Sequence, residues 1–258
     1  MSIPIGLQLF SVRHELEKDT AQTLNDAAAA GYAGVEFFGF PRHSAKELRS
    51  MLQDSGLQCC GWHVPFDLMQ EDQLAQTITF HEALGNQYLV VPGLPKDLTA
   101  SRDAWRHMAD YFYQLAEGLR SYGMYTGYHN HHVEFTPLDG EQPWDTFFGA
   151  THADVIMQLD LGNALSGGAD VMDILQRYPN RSRTIHLKPY SETAAQEGWE
   201  AGFRPLIGED DIPWADVLGL CERGNTEWYI VEYESDAYPP MEAVERCLVN
   251  VKKLQESL

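Results

Sequence analysis

Nine consecutive residues, Gly127-Tyr128-His129-Asn130-His131-His132-Val133-Glu134-Phe135, hold three histidines, an asparagine and a glutamate directly after the strand-forming run Met124-Tyr125-Thr126. That density of proton carriers and metal-binding groups suits acid–base or metal chemistry. The plain alternative is a polar strand end satisfied by water and loop backbone. In a half-buried strand alternate residues share a face, so His129 and His131 point one way while Asn130 and His132 point the other. One of the two pairs therefore faces inward.

A scaffold must hold this stretch, and the chain around it repeats one unit. Ile5 to Phe10 reads as a strand, and Thr20 to Ala30 as a helix that Asp19 caps and Gly31 ends. Val35 to Phe38 is a second strand, followed by a helix from Ala45 to Gln53 capped by Ser44. Leu57 to Trp62 is a third strand, and Gln73 to Leu84 a helix closed by Gly85. Tyr88-Leu89-Val90-Val91 is a short apolar strand of the kind buried on both faces. Ser101 caps a helix that reaches Tyr122 and leads into the fifth strand.

A short helix at Trp144 to Phe148, strands at Val155 to Asp160 and Thr184 to Leu187, and a helix at Val171 to Arg177 continue the pattern. It lapses between Lys188 and Asp211, a connection long enough to be a functional loop. A helix from Pro213 to Glu222, a strand at Trp228 to Val231 and a helix from Met241 to Leu254 complete it. Eight strand-then-helix units of about 32 residues predict a single (β/α)8 TIM barrel over residues 1–258. An open doubly wound sheet is disfavoured because Phe10-Ser11-Val12-Arg13, not a glycine-rich turn, follows the first strand.

Such barrels carry their chemistry at the carboxyl ends of the strands. The polar residues there are Gln8, Glu36, His63, His131, Glu134, Asp160, Asn163, His186, Lys188, Glu232 and Glu234. Buried carboxylates meeting in one mouth repel one another, and a divalent cation is the simplest compensation. Glu134, Asp160, His186 and Glu232 form the expected metal set, with Mn²⁺ or Mg²⁺ favoured for its oxygen content and Co²⁺ or Zn²⁺ possible. Taken one at a time, each has an ordinary role open to it, such as a helix cap, an ion pair or a hydrogen-bonded core histidine.

The sequence resembles the xylose-isomerase-like barrel superfamily, in the group of sugar phosphate isomerases/epimerases, from Ile5 nearly to the C-terminus. The resemblance rests on residues 6–13, on Tyr128-His129-Asn130-His131 with Glu134-Phe135, and on Leu159-Asp160-Leu161-Gly162-Asn163. His186-Leu187-Lys188, Ile207-Gly208-Glu209 with Trp214, and Trp228 to Glu232 complete it. It implies a divalent metal on a Glu-Asp-His-Glu set that binds neighbouring oxygens of a keto sugar, with proton transfer through an enediolate. Asp160, His186 and Glu232 match that set. The fifth-strand ligand is expected to be Glu134, with His129 in reserve, where many relatives place a glutamate.

A proton beside a ketone is weakly acidic, and a chelating metal stabilises the charge that develops when a nearby base removes it. His131 is the first candidate base, with Glu232 or Glu134 sharing the work, and Lys188 could stabilise an oxyanion or orient a hydroxyl. His63, His129, Asn163, Trp62 and Glu36 are the candidate substrate contacts. Phe10, Phe38, Phe66 and Trp199 could also stack on a sugar, although core packing is the default for such aromatics. The expected activity is isomerisation or epimerisation of a keto sugar or oxidised glycoside. The rival is a lyase, such as an inosose dehydratase or a 3-keto-glycoside-cleaving enzyme, that begins with the same proton abstraction.

Composition narrows the partners. Lys plus Arg number 18 against 38 Asp plus Glu, a formal charge of −20 that repels a phosphate backbone, so an AP endonuclease of this superfamily is disfavoured. Few basic residues follow the seventh and eighth strands, and Glu232-Tyr233-Glu234-Ser235-Asp236 is acidic, so the expected substrate is not phosphorylated. A barrel that binds a sugar without catalysis is a further class. No run reaches the roughly 20 apolar residues of a membrane span. Met1-Ser2-Ile3-Pro4 lacks signal-peptide character, and the four cysteines lack CxxC spacing, so a cytoplasmic protein with reduced thiols is expected, and likeness to the group suggests a homo-oligomer.

Overall fold

The computed structural model describes residues 2–258. Its elements are β1 (Ile5–Gln8), α1 (Arg13–Lys18), α2 (Thr20–Ala30), β2 (Gly34–Phe38), α3 (Ala45–Ser55) and β3 (Gln58–His63). There follow α4 (Glu71–Leu84), β4 (Tyr88–Val91), α5 (Arg102–Leu119), β5 (Tyr125–His129), α6 (Pro143–Ala150) and β6 (Ile156–Gln158). The remainder is α7 (Leu161–Ser166), α8 (Val171–Arg177), β7 (Thr184–Leu187), α9 (Trp214–Arg223), β8 (Trp228–Val231) and α10 (Pro240–Glu256).

All strand pairs are parallel, in the order β6-β5-β4-β3-β2-β1-β8-β7. The gap between β6 and β7 is bridged by backbone bonds from Met157 N to Arg181 O and from His186 N to Leu159 O, each 2.9 Å, and by an isolated parallel bridge between Asp160 and His186. The result is a nearly closed barrel.

Local chemistry accounts for the helices. Ser44 and Glu47 form a reciprocal capping box at α3, Asp19 accepts from Gln22 N at α2, and Ser101 accepts from Ala104 N at α5. In α5 the buried residues Trp105, Met108, Ala109, Phe112, Leu115, Ala116 and Leu119 recur at three- and four-residue steps, placing one apolar face on the barrel. A second apolar cluster of Cys60, Tyr88, Ile156, Trp228 and Ile230 comes from strands alone. Above it the barrel turns polar, with Gln8, Glu36, His63, His129, Gln158 and His186 all buried.

The sequence places the eight strands and the long helices within a few residues of these bounds, and misses two short helices. β1 stops at Gln8 because the Gln8 side chain accepts from Phe10 N and starts a 3-10 turn at Leu9–Val12. α7 starts where Asp160 caps it, a strand end that the apolar pattern runs through. The connection after β7 is ordered, with 3-10 turns at Ala194–Glu197 and Trp199–Phe203. The four cysteines are free thiols. Among the described residues no helix is long and apolar enough to cross a membrane.

Candidate metal centre

His129 ends β5, Asp160 follows β6, His186 lies in β7 and Glu232 follows β8. One donor atom from each lies within 4.8 Å of the others, and all four residues are buried. The inward alternation of neighbouring strands makes this meeting possible, because His129 and His186 each occupy a position facing the barrel interior. Asp160 divides its carboxylate between two tasks. Its Oδ1 caps α7 by accepting from Asn163 N at 2.7 Å, while its Oδ2 is buried with no hydrogen-bond partner.

That orphan oxygen lies 4.0 Å from His129 Nε2 and 3.9 Å from His186 Nδ1. His186 Nδ1 is in turn 2.5 Å from Glu232 Oε2. An unpartnered buried carboxylate oxygen flanked by two imidazole nitrogens and a second carboxylate fits a divalent cation, with two nitrogen and two oxygen donors. Mixed sets of this kind suit first-row transition ions and zinc better than an all-oxygen site does.

The other imidazole nitrogen of His186 is fixed from behind. His186 Nε2 and Glu36 Oε2 are 2.6 Å apart, and Gln8 Nε2 and Gln158 Nε2 donate to Glu36 at 2.7 and 2.8 Å. A Cβ on Gly61 would run into Glu36 Oε1, so glycine is required for the carboxylate to sit there. Glu36 is fully buried. It lies beneath the donor group, where its contact with His186 Nε2 orients that ring.

His63 stacks parallel on His186 at 5.1 Å, and its Nε2 lies 2.6 Å from Gln158 Oε1. With His129 and His186 it forms a second group of three imidazoles. Gln158 joins His63, Glu36 and Thr184 in one network. Sequence reading passed over Gln158. Its signal is a glutamine two positions before Asp160, on the same face of an otherwise apolar strand.

Two further candidate residues lie away from the group of donors. Glu134 stays outside the group of donors, since its Oε1 accepts from Tyr128 Oη and its Oε2 from His131 N, both at 2.7 Å. Its carboxylate is consumed in fixing the turn Val133–Phe135, and the reserve residue His129 occupies the position expected of it. Trp62 is packed between Phe37 at 4.9 Å and Phe80 at 5.5 Å, with its Nε1 donating to Gly39 O. It is core, 2% exposed, and offers no face to a substrate.

Lys188, Asn163 and His131 remain at the mouth. Lys188 is buried, ion-paired to Glu234 and 3.5 Å from Glu232 Oε1. Asn163 donates from its amide to Asn130 O at 3.2 Å. His131 is exposed, with its ring 5.4 Å from that of His129.

The electrostatics follow from three carboxylates in a buried space. Burial alone would lower His186, but Glu36 and Glu232 on its two nitrogens outweigh it and raise it to about 10. Burial raises Asp160 to about 7, with Lys188 opposing and Glu232 reinforcing. Burial would also raise Glu232 and Glu36, yet Lys188 and His186 hold Glu232 well below the usual carboxylate range, and His63 and His186 hold Glu36 down. For Lys188, burial is overcome by Glu232, Asp160 and Glu234, which raise it. Burial, with His63 and His186 adding to it, pushes His129 well below the ordinary imidazole value, so its ring is neutral and keeps a lone pair. The space attracts positive charge and offers neutral nitrogen to it.

Comparison with known proteins agrees with this architecture. The sequence profile described as xylose isomerase-like TIM barrel matches residues 24–250. The inosose dehydratase of Serratia proteamaculans (strain 568) is 27% identical over 253 residues, covering 85% of this chain and 84% of that one. A sugar phosphate isomerase/epimerase from Parabacteroides distasonis superposes with a TM-score of 0.82 at 24% identity, covering 98% of this chain and 94% of the other. An IOLI protein with a bound zinc atom superposes with a TM-score of 0.73 at 15% identity, over 99% of both chains.

Proposed function

The chain belongs to the xylose isomerase-like TIM barrel family, and from that premise we propose that it is a divalent-metal-dependent lyase that removes water from a keto-cyclitol or keto-sugar ring. The observation that carries this reading is the meeting of His129, Asp160, His186 and Glu232 in one buried group beside Lys188. Elimination is preferred to the isomerisation expected from sequence because inosose dehydratase is the name of a relative that matches along most of both chains.

His129, Asp160, His186 and Glu232 would hold the ion. When bound, it would supply Lewis-acid polarisation of a carbonyl and a neighbouring hydroxyl. A base at the mouth takes the proton from the carbon beside the carbonyl; His131, beside His129, is the first candidate. The pair of electrons left by that proton forms a carbon–carbon double bond as the adjacent C–O bond breaks. The departing hydroxyl takes up a proton and leaves as water. Lys188 is held protonated by three carboxylates, which suits it to orient a hydroxyl or donate toward the leaving oxygen and not to act as base. Asn163 and His63 remain candidate substrate contacts, one at the mouth and one on the inner wall.

The substrate is neutral in this reading. Lys188 is paired with Glu232 and Glu234, and Arg204 with Glu197, so the basic groups beside the cavity are already matched.

The test is incubation of the metal-loaded protein with an inosose while following the ultraviolet absorption of a conjugated enone. Growth of that absorption supports elimination. Exchange of solvent deuterium into the ring without loss of water would move the assignment to an isomerase or epimerase, and the absence of both signals would overturn the reading.

A further inference from the structure

The cavity beside the metal-binding group extends outward under the connection from β7 to α9, which is tied down at several points. Ser191 N donates to Gly202 O at 2.8 Å and Asp211 N to Tyr190 O at 3.2 Å, while Asp211 accepts from Ser191 Oγ at 2.9 Å. Gly202 lies so close to the Tyr190 ring that a Cβ there would collide with it. Gly198, at φ 140° and ψ 151°, takes a conformation that belongs essentially to glycine and delivers the chain into Trp199.

Trp199 is 51% exposed although it stands on this fixed backbone. It is held edge to face against Phe203 at 5.1 Å and His132 at 5.2 Å, so two separate connections fix its ring. The cavity, of about 370 Å³, is lined by Asn163, Lys188 and Trp199 together with the carboxylates Glu200, Glu234 and Asp236 and by Arg204, which is paired with Glu197. Lys188 joins it to the metal-binding group through Glu232.

We propose that Trp199 is the stacking platform of an outer subsite that takes a second neutral hydroxylated ring, joined to the ring that reacts. A sugar or cyclitol presents an apolar C–H face and a rim of hydroxyl donors. A fixed indole face beside carboxylate acceptors matches both, and the acidic wall disfavours an anionic group. The substrate class is thus a glycoside or a ring-substituted cyclitol. This rests on the reading of the cavity as the substrate site.

The test titrates the metal-loaded protein with myo-inositol and with galactosyl-inositol, by calorimetry and by tryptophan fluorescence. The two-ring ligand is expected to bind about tenfold more tightly, the value of one added aromatic contact, and to quench the emission of Trp199. Trp199→Ala removes that advantage and leaves the one-ring affinity unchanged, and Trp199→Phe keeps most of it. Equal affinities for the two ligands, equal losses for both in Trp199→Ala, or a change in oligomeric mass with binding intact would overturn the subsite. Metal stoichiometry is measured alongside: failure of the unaltered protein to take up metal strikes the functional reading, whereas equal affinities in the loaded protein strike the subsite alone.

Discussion

Asp160 and His186 face each other across the seam between β6 and β7, which among the described residues lacks a full strand pairing, joined by an isolated parallel bridge, with Asp160 Oδ2 3.9 Å from His186 Nδ1. The backbone relationship sets the side-chain one. β6 is only three residues long, and its early end frees Asp160 to cap α7 with one oxygen and to turn the other into the barrel. The remaining oxygen is buried with no partner, an arrangement that a cation would relieve.

Asp160→Asn is therefore expected to keep the fold, since an amide oxygen can still accept from Asn163 N, while losing the charge the ion needs. Metal affinity falls by more than about 100-fold, beyond the range typical of outer-shell partners. Calorimetric titration of the metal-free protein with Zn²⁺ or Mn²⁺ measures it. An unchanged affinity would remove Asp160 from the ligand set.

Glu36 acts at one remove. It contacts His186 Nε2 while His186 Nδ1 faces Asp160, so it fixes the ring orientation that presents Nδ1. Glu36→Gln is expected to lower metal affinity about 10- to 100-fold, the usual effect of losing such a partner. Circular dichroism and thermal melting establish that the barrel is intact. A role in touching substrate predicts a raised KM with metal affinity unaltered, and that result would reverse the assignment.

The barrel was legible because its signals are local. Alternating units, Asp19, Ser44 and Ser101 as caps, and Gly31 and Gly85 as helix ends all act within a few residues. Asp160, His186 and Glu232 were legible because each stands alone at the end of an apolar strand. Glu134 against His129 was not, since the deciding fact is which carboxylate Tyr128 and His131 consume, a matter of three-dimensional reach. Glu36 reads as a strand-end residue like the others, and only the approach of β1 and β6 shows it locked below the site. Trp62 was ambiguous because outward and inward positions both carry aromatics next to β3.

The second imidazole bears on which ion the group of donors would prefer. With His129 and His186 both donating nitrogen, zinc or cobalt is expected to be held in preference to magnesium, against the oxygen-rich set expected from sequence. His129→Glu should shift the ratio of manganese to zinc affinity toward manganese by on the order of tenfold. Competition against a chromophoric chelator reads this without any assay of activity. An unmoved ratio would place His129 outside the coordination shell.

Glu134→Gln separates the two candidates for the fifth-strand position. A glutamine can accept from His131 N through its oxygen and donate to the Tyr128 hydroxyl oxygen through its nitrogen, so the turn survives and stability changes by less than about 1 kcal/mol. Metal stoichiometry and affinity are expected to be those of the unaltered protein. A loss of metal in this variant alone would restore Glu134 to the site.

His81 gives the fold an acid-sensitive point away from the centre. It is buried on α4 against Trp62 and Phe80, and its Nδ1 accepts from Asn86 Nδ2 at 3.1 Å, which fixes the neutral ring. Burial pushes it down from 6.5 to about 3. Between those values the unfolded chain binds a proton that the folded chain does not, so stability falls as pH drops through the window and recovers as pH rises toward 6.5. The contribution is on the order of 2 kcal/mol between pH 6.5 and 4.5. Asp160, raised to about 7, titrates in the same range with the opposite sign, so the useful quantity is the difference between two proteins. Urea unfolding of His81→Gln and of the unaltered protein across pH 4.5 to 7 is expected to give a smaller loss on acidification in the variant, whatever its starting stability. Equal losses in the two proteins would show that His81 is protonated in the folded state.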